Sequence, residues 1–166
     1  MGPPDELLER NARFADHFEP SDGSASPSRR LAVLTCMDTR IDVLGALGLH
    51  VGEAHIIRNA GGILTDDVIR SLSISQRRLA TTEVVIVQHT DCGMQGLDEG
   101  ELRDELQEAV GAHPAWEIGS FSDVAHSVLT SIERLRADPH LVHRDRIHGY
   151  VYDVQTGRLT AVDGGP

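Results

Sequence analysis

Lysine is missing from this chain: all 15 residues in the Lys+Arg count are arginines. A Schiff-base nucleophile and a phosphate-binding P-loop lysine are thereby excluded. Aromatic residues are scarce, at 4%, while hydrophobic residues reach 40%, so the interior has to be built from Val, Ile, Leu and Ala. That composition suits parallel strands covered by helices. Net positive charge is lacking too: the formal charge is -11 and the pI about 5.1, with no basic run to compensate locally, which argues against nucleic acid as a partner. No apolar run is long enough to span a bilayer, and Met1-Gly-Pro-Pro-Asp-Glu-Leu-Leu-Glu-Arg10 has neither a positive start nor an apolar stretch behind it. A soluble cytoplasmic protein with no membrane partner is the expectation. Only two cysteines occur, and in a cytoplasmic setting metal binding or catalysis is favoured for them over a disulfide.

What is present reads as alternating strands and helices over one domain, 1–166, with an N-terminal helical arm and linker over 1–28. Leu7, Leu8, Phe14 and Phe18 lie among charged residues, giving an amphipathic helix over 5–18, and 19–28 is a polar linker. A terminal helix with an apolar face suits packing on a second subunit, so a dimer is expected. Strands are read at 31–35, 54–58, 83–88 and 149–154, the last turning at Thr156-Gly157 into a short partner over 158–162. Helices are read at 41–49, 65–80, 100–110 and 122–136; Thr65 with Asp66 and Asp67 behind it is a strong helix start. The acidic stretch from Asp98 to Glu108 lacks the calcium-loop pattern and reads as a solvated helix face.

Two segments carry chemistry. Leu31-Ala-Val-Leu-Thr-Cys36-Met-Asp38-Thr-Arg40 and Val87-Gln-His89-Thr-Asp-Cys92-Gly-Met94 each follow an aliphatic run, so both are expected at one edge of a parallel sheet, where open α/β folds build their sites. Two thiolates and an imidazole suit zinc, one per chain, and three protein ligands leave a fourth position for water or substrate. In Cys36-Met-Asp38-Thr-Arg40 the functional side chains occupy every second position, so an extended chain would aim them to one side. Beside a metal, Asp38 can accept a hydrogen bond from bound hydroxide or coordinate the metal itself; Arg40 can hold it in either role through paired hydrogen bonds. For Asn59-Ala-Gly-Gly62 two readings stay open: backbone amides brought near the site, or a plain glycine turn. The histidines at 17, 50, 55, 113, 126, 140, 143 and 148 lack metal-ligand spacing.

Cys-x-Asp-x-Arg after the first strand, Arg58-Asn-Ala-Gly after the second and His-x-x-Cys-Gly after the third resemble the β-class carbonic anhydrases. The similarity covers nearly the whole chain, and Met37 and Thr39 are closer to the compact archaeal and actinobacterial branch than to the plant-type branch. The resemblance implies zinc on Cys36, His89 and Cys92, with Asp38 and Arg40 as the catalytic pair beside it. It also implies a mostly parallel sheet of order 2-1-3-4 with an antiparallel edge strand and flanking helices, and a homodimer or higher oligomer with its sites at the subunit interface. The implied reaction is reversible hydration of carbon dioxide to bicarbonate. Related enzymes of this fold act on carbonyl sulfide or carbon disulfide, and these motifs do not separate them. A non-catalytic zinc protein closed by Asp38 is a further alternative, against which Arg40 offers Asp38 another partner.

Overall fold

The computed structural model describes residues 3–20 and 24–162. In chain order the elements are α1 (Pro3–Ala15), β1 (Leu31–Cys36), α2 (Val43–Leu47), β2 (Ala54–Asn59), a short 3-10 turn (Ala60–Gly62), α3 (Asp66–Arg78), β3 (Glu83–His89), α4 (Glu99–Val110), α5 (Val124–Ala137), β4 (Ile147–Tyr152) and β5 (Leu159–Ala161). The five strands form one sheet in the order β2-β1-β3-β4-β5, parallel throughout except for the antiparallel pairing of β5 on β4. This is the expected α/β arrangement.

The aliphatic composition fills two layers, one on each face of the sheet. On one face Ala32, Leu34, Val84 and Ile86 pack against Val68 and Leu72 of α3 and against Val128, Ile132 and Leu135 of α5. On the other, Val33, Val85 and Val87 meet Ile41, Val43, Leu44, Leu47 and Leu49 in and around α2, with Tyr150, Tyr152 and Leu159 at the far side. The alternation along β3 separates the layers: Val84 and Ile86 face one, Val85 and Val87 the other. At Gly149 the absence of a side chain lets α5 come down on β4, since a Cβ there would lie 2.3 Å from Val128 Cγ1.

The helix starts follow from their caps. Thr65 Oγ1 accepts from the Val68 amide, with Asp66 and Asp67 in the first turn of α3 and Arg77 and Arg78 in its last, which matches side-chain charge to both ends of the dipole. Asp98 and Asp123 cap α4 and α5 in the same manner. As expected for a solvated acidic helix, α4 buries none of its residues.

The observed boundaries depart from the sequence expectation in two informative places. β4 begins at Ile147 and not at 149, because Glu83 at the start of β3 takes both Arg146 (2.8 Å) and His148 (3.1 Å) and holds the polar flank in register. It ends at Tyr152, where the Asp153 side chain accepts from the amides of Gln155 and Thr156 and turns the chain toward β5. α1 ends at Ala15, and the rings of Phe14 in its last turn and Phe18 beyond it lie 5.5 Å apart. Leu7, Leu8, Phe14 and Phe18 are all exposed, so the apolar face of this helix is uncovered by its own chain. Part of the linker expected over 19–28 falls at 21–23, which lie outside the described residues.

The 3-10 turn after β2 presses against the end of β1. Gly62 has φ +60, and a Cβ on it would stand 2.7 Å from the Cys36 amide nitrogen and 2.8 Å from the Thr35 carbonyl carbon. Both the conformation and the contact demand glycine. Gly62→Ala is therefore expected to destabilise the protein by about 2 kcal/mol or more, read from the midpoint of urea denaturation; a midpoint equal to that of the parent would contradict this packing.

Candidate metal centre

The strand order has a reversal point. From β1 the chain moves outward to β2, then returns past β1 to place β3 on its other side, with α2 and α3 on opposite faces. The loops leaving β1 and β3 therefore diverge and open a crevice at their carboxyl ends, the place where such sheets bind ligands. Cys36 is the last residue of β1 and His89 the last of β3, with Cys92 three residues on. All three are buried, and their ligand atoms lie within 4.8 Å of one another. Among the described residues no other group of three His, Cys, Asp or Glu side chains could hold a metal ion. The two cysteines are free thiols, so the disulfide alternative is not realised.

The state of His89 follows from its neighbours. Its Nδ1 lies 2.9 Å from the Thr90 carbonyl oxygen, which can only accept, so Nδ1 carries a proton and Nε2 is the ring nitrogen turned toward the two sulfurs. That Nε2 is buried and has no hydrogen-bond partner. It also sits 3.7 Å from Asp38 Oδ2, beyond hydrogen-bond distance. The thiol of Cys92 is pushed above its ordinary value, mainly because burial disfavours the thiolate; the Met94 amide acts the other way, and Cys36 beside it raises it further. An unpartnered buried imidazole nitrogen next to two buried sulfurs fits one zinc ion.

Asp38 and Arg40 converge, though not through an extended strand. The chain leaves β1 and turns: the Asp38 side chain accepts from the Arg40 backbone amide at 2.9 Å, and Ile41 N–H donates to the Asp38 carbonyl at 3.2 Å. This Asx turn folds the guanidinium back onto the carboxylate, where Nε donates to Oδ1 at 3.0 Å and Nη2 to Oδ2 at 2.7 Å. The side-chain hydrogen bonds from Arg40, followed by its backbone amide, hold the Asp38 carboxyl well below the usual carboxylate range. Arg40 is raised in turn, first by Asp38 and then by Asp91.

Several side chains beyond these five shape the site. Arg58, at the end of β2, donates to the carbonyls of Cys36 (2.9 Å), Asp38 (2.7 Å) and Ile41 (3.3 Å), and so clamps the segment that bears both Cys36 and Asp38. Asn59 ties off the glycine turn by donating to the Ile63 carbonyl and accepting from its amide. Gln88 donates from Nε2 to the carbonyls of Gly61 (3.0 Å) and Gly62 (3.4 Å), on the face of β3 opposite His89. A signal existed for Arg58: an arginine closing a strand must place five N–H donors, and neighbouring loop carbonyls are the available acceptors. Val43 and Leu47 join the α2 layer, whereas Leu64 is in the α3 layer and lines, with Ile63, a separate groove of about 870 Å³ between the starts of α3 and α5. None of the five site residues borders that groove.

Comparison with known proteins agrees with this geometry. Residues 31–159 match the protein family described as carbonic anhydrase. Beta-carbonic anhydrase 1 of Mycobacterium tuberculosis is 40% identical over 158 residues, covering 95% of this chain and 96% of its own. A carbon disulfide hydrolase of Acidithiobacillus thiooxidans is 38% identical over 159 residues, covering 81% of this chain and 73% of its own. The crystal structure of a carbonic anhydrase from Streptococcus mutans superposes with a TM-score of 0.90 at 39% identity, over 98% of this chain and 99% of that one. The chain belongs to the carbonic anhydrase family, in its β class.

Because ligation requires thiolates and the Cys92 thiol is held protonated by burial, metal uptake at pH 7 must expel protons. Calorimetric titration of the metal-free protein with zinc, in two buffers of different ionisation enthalpy, is expected to give about one proton or more released per ion, with affinity falling as pH is lowered. Binding without proton release would mean that the thiols are not the ligands.

Proposed function

We propose that this protein catalyses the reversible hydration of carbon dioxide to bicarbonate and a proton, with Cys36, His89 and Cys92 holding zinc and Asp38 and Arg40 acting beside it. The observation that carries the reading is the unpartnered, buried Nε2 of His89, grouped with two buried sulfurs and facing a carboxylate that already has its own arginine. When bound, zinc acidifies a water so that hydroxide is available near neutral pH to attack the carbon of carbon dioxide.

The residues of the chain supply orientation. Asp38 is ionised at every pH of interest and can only accept hydrogen bonds, so it takes one from the O–H of the nucleophile and leaves a lone pair directed at the substrate. Arg40 occupies both carboxylate oxygens and keeps Asp38 from swinging toward the ligand cluster. Arg58 acts earlier in the chain of support by fixing the carbonyls on either side of Asp38. Carbon dioxide is uncharged, so the site needs no cation of its own to recruit it.

A second reading, hydrolysis of carbon disulfide or carbonyl sulfide at the same centre, has support in the similarity to carbon disulfide hydrolases. The greater identity and fuller coverage of the mycobacterial beta-carbonic anhydrase 1 favour carbon dioxide. No helix among the described residues is long and apolar enough to cross a membrane, and two free thiols suit the reducing cytoplasm we propose for it. We also take the chain as one domain over 1–166, with the 1–28 arm reaching a second copy in a homodimer.

Stopped-flow hydration with zinc quantified in parallel tests the reaction, with carbonyl sulfide assayed alongside. Two thiolates cancel the formal charge of the metal, so the water should be less acidic than the value near 7 of an all-histidine site, and kcat/KM should rise from neutral to alkaline pH. Asp38 is not the group on that limb. Its pKa in the folded protein is depressed, so its ionised form and the stability that form contributes are complete above about 4 and are lost only as pH falls through the depressed value. Asp38→Ala should keep zinc and lose roughly a hundredfold in kcat/KM; a flat pH profile or an unimpaired variant would overturn the mechanism.

The dimer has its own measurement. Removing residues 1–20 takes away the exposed Leu7, Leu8, Phe14 and Phe18 and should shift the species seen by analytical ultracentrifugation toward monomer at micromolar concentration. A full-length protein that sediments as a monomer would refute the proposal.

A further inference from the structure

Arg40 does more in this structure than hold Asp38. Its Nη1 donates to Asp91 Oδ2 at 2.8 Å, and its Nη2 donates to the Asp91 carbonyl at 2.9 Å in addition to Asp38. The guanidinium thus spans the crevice, with one side on the loop that leaves β1 with Cys36 and the other on the loop that leaves β3 with His89 and Cys92. The two carboxylates do not compete for it: Asp38 takes Nε and Nη2, while the Asp91 side chain takes Nη1.

The backbone at Asp91 is arranged for this contact. Its φ is +55, one of three positive values at non-glycine residues among those described. Aspartate tolerates that conformation better than most side chains, and such strain is kept where surrounding structure uses it. Here the left-handed turn delivers both the carbonyl and the carboxylate of one residue to one guanidinium, immediately before the ligand Cys92.

We infer that Asp91 is a positioning residue: acting through Arg40, it ties the two ligand-bearing loops together and steadies the carboxylate of Asp38. The inference rests on the function proposed above only for its catalytic consequence; the tie between loops stands on geometry alone. The Asp91 side chain is 74% exposed, so the pair is screened and its effect is moderate.

The test is a double-mutant cycle read by zinc release to a chelator, with kcat/KM measured alongside. Asp91→Gly deletes the carboxylate while making the left-handed turn easier, so the variant folds, and Asp91→Asn leaves an oxygen to accept from Nη1. Release from Asp91→Gly is expected to be about two- to fivefold faster than from the parent, with a matching fall in kcat/KM and Asp91→Asn in between. In an Arg40→Ala background, Asp91→Gly should add nothing. Parent-like zinc release in Asp91→Gly, or an equal acceleration in the Arg40→Ala background, would overturn the inference. If the parent fails to hydrate carbon dioxide, the proposed function falls while the zinc-release cycle still decides the role of Asp91.

Discussion

The parallel pairing of β1 with β3 is the constraint from which the site follows. With Leu31 opposite Glu83 and Thr35 opposite Val87, the two strands finish together, and the residues that end them are a cysteine and a histidine. Because the chain goes outward to β2 before returning to β3, the loops beyond those two ends part from each other and the crevice is created by topology, without any bulky side chain to hold it open. The rest of the local structure secures that crevice. Gly62 allows the turn after β2 to close on Cys36, Arg58 gathers the carbonyls of the loop after β1, and Arg40 bridges to the loop after β3.

The electrostatics are layered on this frame. An imidazole whose Nδ1–H is fixed on a carbonyl, a thiol kept protonated by burial and a carboxylate held ionised by its arginine are three groups under different constraints within a few ångströms. Each state has a separate cause: a carbonyl acceptor, desolvation and a bidentate cation. Arg40 and Asp91 lie on the exposed side of the pair, while Cys36, His89 and Cys92 are buried.

Much of this was legible in the sequence. Aliphatic runs ending in Cys36 and His89 located both strands and the edge they share, and Thr65 with two aspartates behind it fixed the start of α3. The grouping of Cys36, His89 and Cys92 and the pairing of Asp38 with Arg40 were readable because their side-chain types are chemically restrictive. What was not readable depends on turns and main-chain acceptors. The extended geometry expected across Cys36-Met-Asp38-Thr-Arg40 gives way to an Asx turn, since an aspartate can capture an amide two residues ahead and alternation does not report that. Arg58 and Gln88 bind carbonyls distant in sequence, and no local pattern encodes such partners. β4 starts two residues before the apolar pattern indicates because its flank is polar, and the cross-strand pairing of Glu83 with Arg146 and His148 keeps charged residues in register there.

The adjacency of Gln88 and His89 has a consequence for how the chain is proofread. The two consecutive side chains leave β3 on opposite faces, the amide sealing the glycine turn and the imidazole entering the ligand cluster. A slip of one residue in the pairing of β3 would exchange them, burying an imidazole under the turn and presenting an amide to the metal. No intermediate register preserves either contact. A misregistered chain would therefore lack the imidazole of this cluster, and a metal held by Cys36, His89 and Cys92 would stabilise the correctly paired sheet over such competitors. Ligand placement thus serves as an internal error check on strand alignment.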